Sequence, residues 1–213
     1  MEKEKEINVI LLGDKGVGKT SIFNAIKENS LYENNYNIDD IDNFVLKRKY
    51  EKKDLIISLN IKDIKNQDNY KGNIPLQYIR DIHIVLLVFS NIESLNNIKE
   101  RWYKFYKENS NIKNSRFILI GNKSDTFGED RDNILKQGNI FGEEIDAHFL
   151  TCSVKSKDNM DNVERYITTE AKGFIDEEEK RLNENNNINI KIENEMENED
   201  EDNTRRKSCC LQC

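Results

Sequence analysis

The segment Gly13-Asp14-Lys15-Gly16-Val17-Gly18-Lys19-Thr20 satisfies G-x-x-x-x-G-K-[ST] at every fixed position. It follows the apolar run Ile7–Leu12 and precedes Ser21–Asn29, where Ile22, Phe23 and Ile26 recur at helical spacing. A strand, a glycine-rich turn and a helix in that order make a phosphate cradle. The glycines let the backbone curl so that successive N–H groups point inward. The helix N-terminus adds partial positive charge. Lys19 is expected to reach the β- and γ-phosphates, and Thr20 to set its hydroxyl on Mg²⁺. A chance match in a Gly/Lys loop would lack the flanking strand and helix. The ligand class is therefore a nucleoside di- or triphosphate with Mg²⁺.

Apolar runs alternate with helical stretches from residue 6 to about 175. The predicted strands are Ile7–Leu12, Asn43–Tyr50, Leu55–Ile61, Ile82–Phe89, Phe117–Ile120 and His148–Thr151. The fourth is almost continuously apolar, as a parallel strand buried on both faces requires. The predicted helices are Ser21–Asn29, Asn69–Arg80, Ser94–Lys107, Arg131–Gly142 and Asp158–Lys180. In the third, Leu95, Ile98, Trp102 and Phe105 share one face. Such alternation predicts an α/β fold with a mostly parallel sheet. The short charged turn between Asn43–Tyr50 and Leu55–Ile61 predicts an antiparallel hairpin for that pair.

Phe117–Ile120 runs directly into Gly121-Asn122-Lys123-Ser124-Asp125. A buried carboxylate at a strand end can accept from the N1–H and the exocyclic amine of guanine. Adenine has no donor at N1, and a buried Asp left unpaired there costs about 1–3 kcal/mol. This disfavours a P-loop ATPase or kinase. Asn122 can tie the loop to the phosphate cradle, and the aliphatic stem of Lys123 can cover a face of the base. Thr151-Cys152-Ser153-Val154-Lys155 also follows a strand. Its amides are placed to meet the guanine carbonyl.

On these residues the chain resembles the small Ras-like GTPases, and within them the Rab family, from about Ile7 to Ile175. Gly13–Ser21 is similar to the Rab phosphate loop. Tyr78-Ile79-Arg80-Asp81-Ile82-His83 resembles Y-Y-R-G-A-H, and Phe149–Lys155 resembles F-x-E-T-S-A-K. Trp102 sits where Rabs carry a tryptophan in the third helix. The resemblance implies a P-loop NTPase fold, a six-stranded mostly parallel sheet flanked by about five helices. It implies GTP contacts from Asp14, Lys15, Gly16, Val17, Gly18, Lys19, Thr20, Ser21, Asp63, Asn122, Lys123, Asp125, Ser153, Val154 and Lys155. Mg²⁺ would lie on Thr20 and, through water, on Asp63. The implied activity is a GTP-to-GDP switch read by trafficking effectors, with an exchange factor, an activating protein and a prenyl-binding escort.

The departures lie in the switches. Where Rabs carry W-D-T-A-G-Q, this chain has Lys62-Asp63-Ile64-Lys65-Asn66-Gln67. Asp63 and Gln67 are retained, and Gln67 is expected to be catalytic by orienting the attacking water. Asn66 replaces the glycine, and Lys62 replaces an aromatic used in effector contact. In Tyr36–Phe44, where Rabs place T-I-G-x-D-F, no Thr or Ser occurs. Asp39 is nearest the Thr position and has the chemistry of a Mg²⁺ ligand, although its charge would face the γ-phosphate. The other reading is a solvated acidic segment. Tyr32 is a candidate for stacking on the base. Lys15 is read either as an ammonium that supplies charge to the γ-phosphate in cis or as a solvent-facing lysine. These departures leave a second reading open: a non-hydrolysing, nucleotide-insensitive GTP-binding scaffold.

The net charge of −7 argues against a nucleic-acid partner. Thirty Asn residues and one Pro record compositional drift. No apolar run reaches 18 residues, the first residues lack a secretory h-region, and Glu2 is expected to exclude N-myristoylation. Residues 176–203 carry twelve Asp/Glu against three Lys/Arg. The expectation is a GTPase domain over 1–182 and a disordered acidic tail over 183–213. The tail ends Arg205-Arg206-Lys207-Ser208-Cys209-Cys210-Leu211-Gln212-Cys213. Clustered cysteines there form no disulfide framework, and a reducing compartment is expected. Cys209 and Cys210 resemble the doubly geranylgeranylated pair of Rabs, and two lipids give stable anchoring. The basic triplet adds attraction to an anionic leaflet. The expected location is the cytoplasmic face of an endomembrane, with a cytosolic pool.

Overall fold

A computed structural model describes residues 3–29, 35–38, 41–64, 67 and 74–184. Tyr32, Asp39, Asn66, the first half of the predicted helix Asn69–Arg80, and Cys209 and Cys210 lie outside the described residues. The chain falls into two compact units, Met1–Phe174 and Ile175–Cys213.

In the first unit all six predicted strands are present: β1 Lys3–Leu12, β3 Ile41–Tyr50, β4 Leu55–Ile64, β5 Ile84–Phe89, β6 Arg116–Gly121 and β7 Ala147–Thr151. A further short strand, β2 Asn35–Ile38, flanks β3. The sheet order is β2-β3-β4-β1-β5-β6-β7. The β2–β3 and β3–β4 pairs are antiparallel and the rest parallel. All six residues of β5 are buried, as its apolar run requires. β1 begins four residues earlier than predicted, through the charged stretch Lys3–Glu6. Cross-strand polar pairs hold that extension: Ser58 donates to Glu4, Lys47 lies 3.5 Å from Glu4, and Asn60 donates to Glu6 at 3.4 Å.

The helices are α1 Lys19–Asn29, α2 Leu76–Ile79, α3 Ile92–Asn97, α4 Lys104–Asn109, α5 Arg131–Glu144 and α6 over 160–174. On one face of the sheet, α3, α4 and α5 close a core of Ile10, Leu12, Val85, Leu87, Leu95, Trp102, Leu119 and Ile134. On the other face Phe23 of α1 meets Phe44 of β3 edge-on at 4.9 Å, and Arg48 of β3 is bonded to Glu164 of α6. The predicted helix Ser94–Lys107 is broken by a π-helical turn, Ile98–Tyr103, between α3 and α4. Its start is fixed by a reciprocal capping box between Asn91 and Ser94.

The chain leaves β1 to build one side of the sheet and returns to β5 on the other. A crevice therefore opens at the carboxyl ends of β1 and β5, where ligands of open α/β sheets bind. In the second unit residues 175–184 are helical and carry an i,i+4 pair, Arg181–Glu177, at 3.6 Å. Of the tail expected to be disordered over 183–213, residues 183 and 184 continue this helix, and 185–213 lie outside the described residues. Among the described residues no helix is long and apolar enough to cross a membrane.

Candidate nucleotide site

The phosphate loop leaves β1 at Leu12 and enters α1 at Lys19, as its sequence requires. Two of its glycines have no substitute. Gly13 has φ +152°, and a Cβ there would meet the Val88 carbonyl oxygen at 2.1 Å. Gly18 has φ +99°, and a Cβ there would lie 2.2 Å from Asn122 Nδ2. Val17 is buried between them. Lys19 curls back over the loop and donates from Nζ to the carbonyls of Gly13 at 2.8 Å and Asp14 at 2.7 Å. Its ammonium is thus held at the loop from which it would meet phosphate. Gly16 and Lys15 are exposed, which leaves both readings of Lys15 standing. The Asp14 carboxylate is turned away from the loop, onto Asn97 and Trp102.

Thr20 Oγ1 donates to Asp63 Oδ2 at 2.5 Å. The two oxygens expected around Mg²⁺ therefore converge although 43 positions separate them. Asp63 is fully buried at the end of β4, in register with Leu11. A hydroxyl and a carboxylate suit a hard divalent cation, so the residues present fit the metal. Among the described residues no cluster of His, Cys, Asp and Glu marks another centre.

Gln67 differs from its sequence reading. It is only 2% exposed, and its Nε2 donates inward to the Leu11 carbonyl at 2.7 Å. The physical reason is local: the β1–β4 ladder stops at Leu11↔Asp63, and the Gln67 amide supplies a donor just beyond it. Its Oε1 is buried without a hydrogen-bond partner.

The base-recognition loop is assembled by hydrogen bonds. Asn122 N donates to Phe89 O at 2.8 Å, which carries the loop off β6 beside β5. Asn122 Nδ2 donates to Val17 O at 2.9 Å, tying the base loop to the phosphate loop. Lys123 adopts a left-handed φ of +61°. Ser153 Oγ donates to Asp125 Oδ1 at 2.6 Å and fixes the carboxylate. The sequence reading had Asp125 buried, but it is exposed. It lies four residues past the end of β6, in the 3₁₀ turn Ser124–Thr126, beyond the cover of the sheet. Cys152 lies beneath the loop, and burial pushes its thiol up to about 12.

These residues enclose a cavity of about 280 Å³ lined by Gly18, Ser21, Asn122, Lys123, Asp125, Thr126, Ser153, Val154 and Lys155. Thr126 was missed from the sequence, although it directly follows Asp125. Its Oγ1 donates to Lys123 O at 2.9 Å. Asn97 was missed as well, because nothing in its local sequence points to the phosphate loop.

The chain matches the Ras family over residues 8–172. It is 31% identical over 157 residues to Rho-related protein racM of Dictyostelium discoideum, covering 70% of this chain and 81% of that protein. It is 28% identical over 155 residues to Ras-related protein RABD2a of Arabidopsis thaliana, covering 72% and 73%. Against Rho-related GTP-binding protein RhoF of Bos taurus it is 27% identical over 176 residues, covering 76% and 79%. Rho-related and Rab-named relatives stand at comparable identity, so these matches support the Ras-like level of the resemblance and not its Rab level. With a phosphate loop, a paired Thr20 and Asp63, and a guanine-type cavity on a P-loop α/β sheet, the chain belongs to the Ras family of small GTPases.

Proposed function

We propose that this chain is a GTP-hydrolysing switch of Rab type, slow by itself and read by membrane-trafficking effectors. The observation that carries it is the Ser153–Asp125 bond at 2.6 Å. It presents a carboxylate to the N1–H and amine of guanine in the cavity that Gly18 and Ser21 join to the phosphate loop. Lys19, held on the carbonyls of Gly13 and Asp14, turns its remaining donor to phosphate oxygens. Thr20 and Asp63 would hold Mg²⁺, which would supply positive charge against the phosphates. Gln67 turns outward to orient water. Its unpaired Oε1 makes the inward position cost about 1–3 kcal/mol, which favours the turn. Without an activating protein no arginine finger completes the site, so intrinsic turnover is slow.

The buried Gln67 amide also supports a second reading, in which the chain binds GTP and GDP alike and acts as a scaffold. Equal affinity for two conformations shifts no equilibrium. Single-turnover phosphate release from GTP-loaded protein with Mg²⁺ decides between the two. Cleavage supports the switch, and GTP retained intact supports the scaffold.

The Rab reading also takes the Cys209–Cys210 pair as prenyl sites that tether the chain to the cytoplasmic face of an endomembrane. A prenyl-binding escort maintains a cytosolic pool, and an exchange factor reloads the site. Mass spectrometry of protein from cells tests it: two geranylgeranyl masses on the terminal peptide are expected, and unmodified thiols overturn it.

A further inference from the structure

Asp14 places a carboxylate on the phosphate loop. A carboxylate within reach of phosphate oxygens opposes the ligand by charge. Here both of its oxygens are occupied from the far side. Trp102 Nε1 donates to Oδ1 at 2.8 Å, and Asn97 Nδ2 donates to Oδ2 at 2.7 Å. The Asp14 backbone carbonyl meanwhile accepts the Lys19 ammonium at 2.7 Å. One residue thus joins the helical layer to the lysine of the phosphate loop.

The helix is deformed at the place that makes this grip possible. Asn97 and Trp102 are five positions apart, which in an α-helix would set them about 140° from each other around the axis. The turn Ile98–Tyr103 is π-helical. Its wider i→i+5 winding brings residues five apart close to one line, so the two donors reach one carboxylate. Trp102 is fully buried and leaves little freedom on that side, whereas Asn97 is exposed. The capping box of Asn91 and Ser94 fixes the start of the same helix directly after β5.

We infer that Asn97 and Trp102 are positioning residues for nucleotide retention. They hold the Asp14 carboxylate away from the phosphates and thereby fix the carbonyl on which Lys19 rests. Bonds to a charged acceptor are roughly twice as strong as neutral ones, so each donor has a measurable share. The device rests on the guanine-nucleotide reading above and would not exist for its own sake in a chain without a phosphate ligand.

The test uses the full chain loaded with fluorescent mant-GDP and Mg²⁺, with release started by excess GDP. Asn97→Ala removes one donor from an exposed position, and alanine suits a helix. It is expected to release mant-GDP about tenfold faster at an unchanged melting temperature of the nucleotide-free protein. Trp102→Phe is expected to accelerate release further. In an Asp14→Ala background, adding Asn97→Ala is expected to change the rate less than twofold, because both act through one carboxylate. Release from Asn97→Ala and Trp102→Phe within twofold of wild type overturns the inference. So does a tenfold effect of Asn97→Ala that persists in the Asp14→Ala background. Wild-type protein that fails to retain mant-GDP overturns instead the guanine-nucleotide reading on which it rests.

Discussion

Asn122 donates its side-chain amide to the Val17 carbonyl at 2.9 Å, joining the base loop to the phosphate loop across 105 positions. Both residues are buried. Asn122→Ala leaves that carbonyl without its donor, at about 1–3 kcal/mol. The tie also sets the distance between base and phosphate recognition. We expect a melting temperature lower by several degrees and GDP affinity reduced roughly 10- to 100-fold, on the conversion of about 1.4 kcal/mol per decade. Calorimetry and equilibrium binding check both. Unchanged affinity would mean that the loops are held together elsewhere.

Gln67→Leu separates two roles of one side chain. Inward, the glutamine satisfies Leu11 O and leaves its own Oε1 buried and unpaired. Leucine removes the buried unpaired Oε1 but leaves the Leu11 carbonyl without its donor. The two changes, each about 1–3 kcal/mol, oppose each other, so the folded state should stay close to wild type in stability. If the glutamine turns outward to orient water, the same substitution removes single-turnover GTP cleavage. We expect loss of cleavage with a melting temperature within about two degrees of wild type. Cleavage that survives assigns Gln67 to the fold alone.

Much of this arrangement is carried by local sequence. The run Ile82–Phe89 dictates a two-faced buried strand, the glycines dictate the loop, and Asn122-Lys123-Ser124-Asp125 lies at a strand end. The features that were not legible depend on tertiary register. Gln67 faces inward because the β1–β4 ladder stops at Leu11↔Asp63. Asn97 meets Asp14 because one helical turn is π and not α. β1 extends through Lys3–Glu6 because Ser58 of β4 and Lys47 of β3 reach the Glu4 carboxylate. A single-chain pattern of polar residues has no means of naming such partners.

Glu170 offers a test of the fold away from the nucleotide. It is buried, accepts from Arg116 Nη1 at 3.0 Å and lies with Oε1 2.9 Å from His148 Nε2, joining α6 to β6 and β7. Glu170→Ala strands the Arg116 guanidinium in a mostly buried position. Breaking a buried pair on one side costs about 3–5 kcal/mol. A loss of that order in denaturant unfolding is expected, with GDP affinity unchanged in the folded protein. A loss below about 1 kcal/mol, the range of exposed pairs, would show that solvent screens the pair.

Cys152 gives the pH dependence its sign. It is fully buried beneath Asn122, its Sγ 3.7 Å from Asn122 Oδ1. Desolvation, seconded by the charge of Asp158, pushes the thiol up to about 12. The folded state thus holds its proton more tightly than the unfolded state. Its contribution to stability is complete below about pH 9 and is lost as pH rises towards 12. Between pH 8 and 11 wild type should lose more stability than Cys152→Ala, measured by denaturant titration at each pH. At pH 8 the native thiol should also resist iodoacetamide and react only after unfolding, because the thiolate is the nucleophile. Parallel pH profiles for the two proteins, together with rapid alkylation of Cys152 in the native state, would mean that the loop over it opens and that Asn122 is not held as the fold requires.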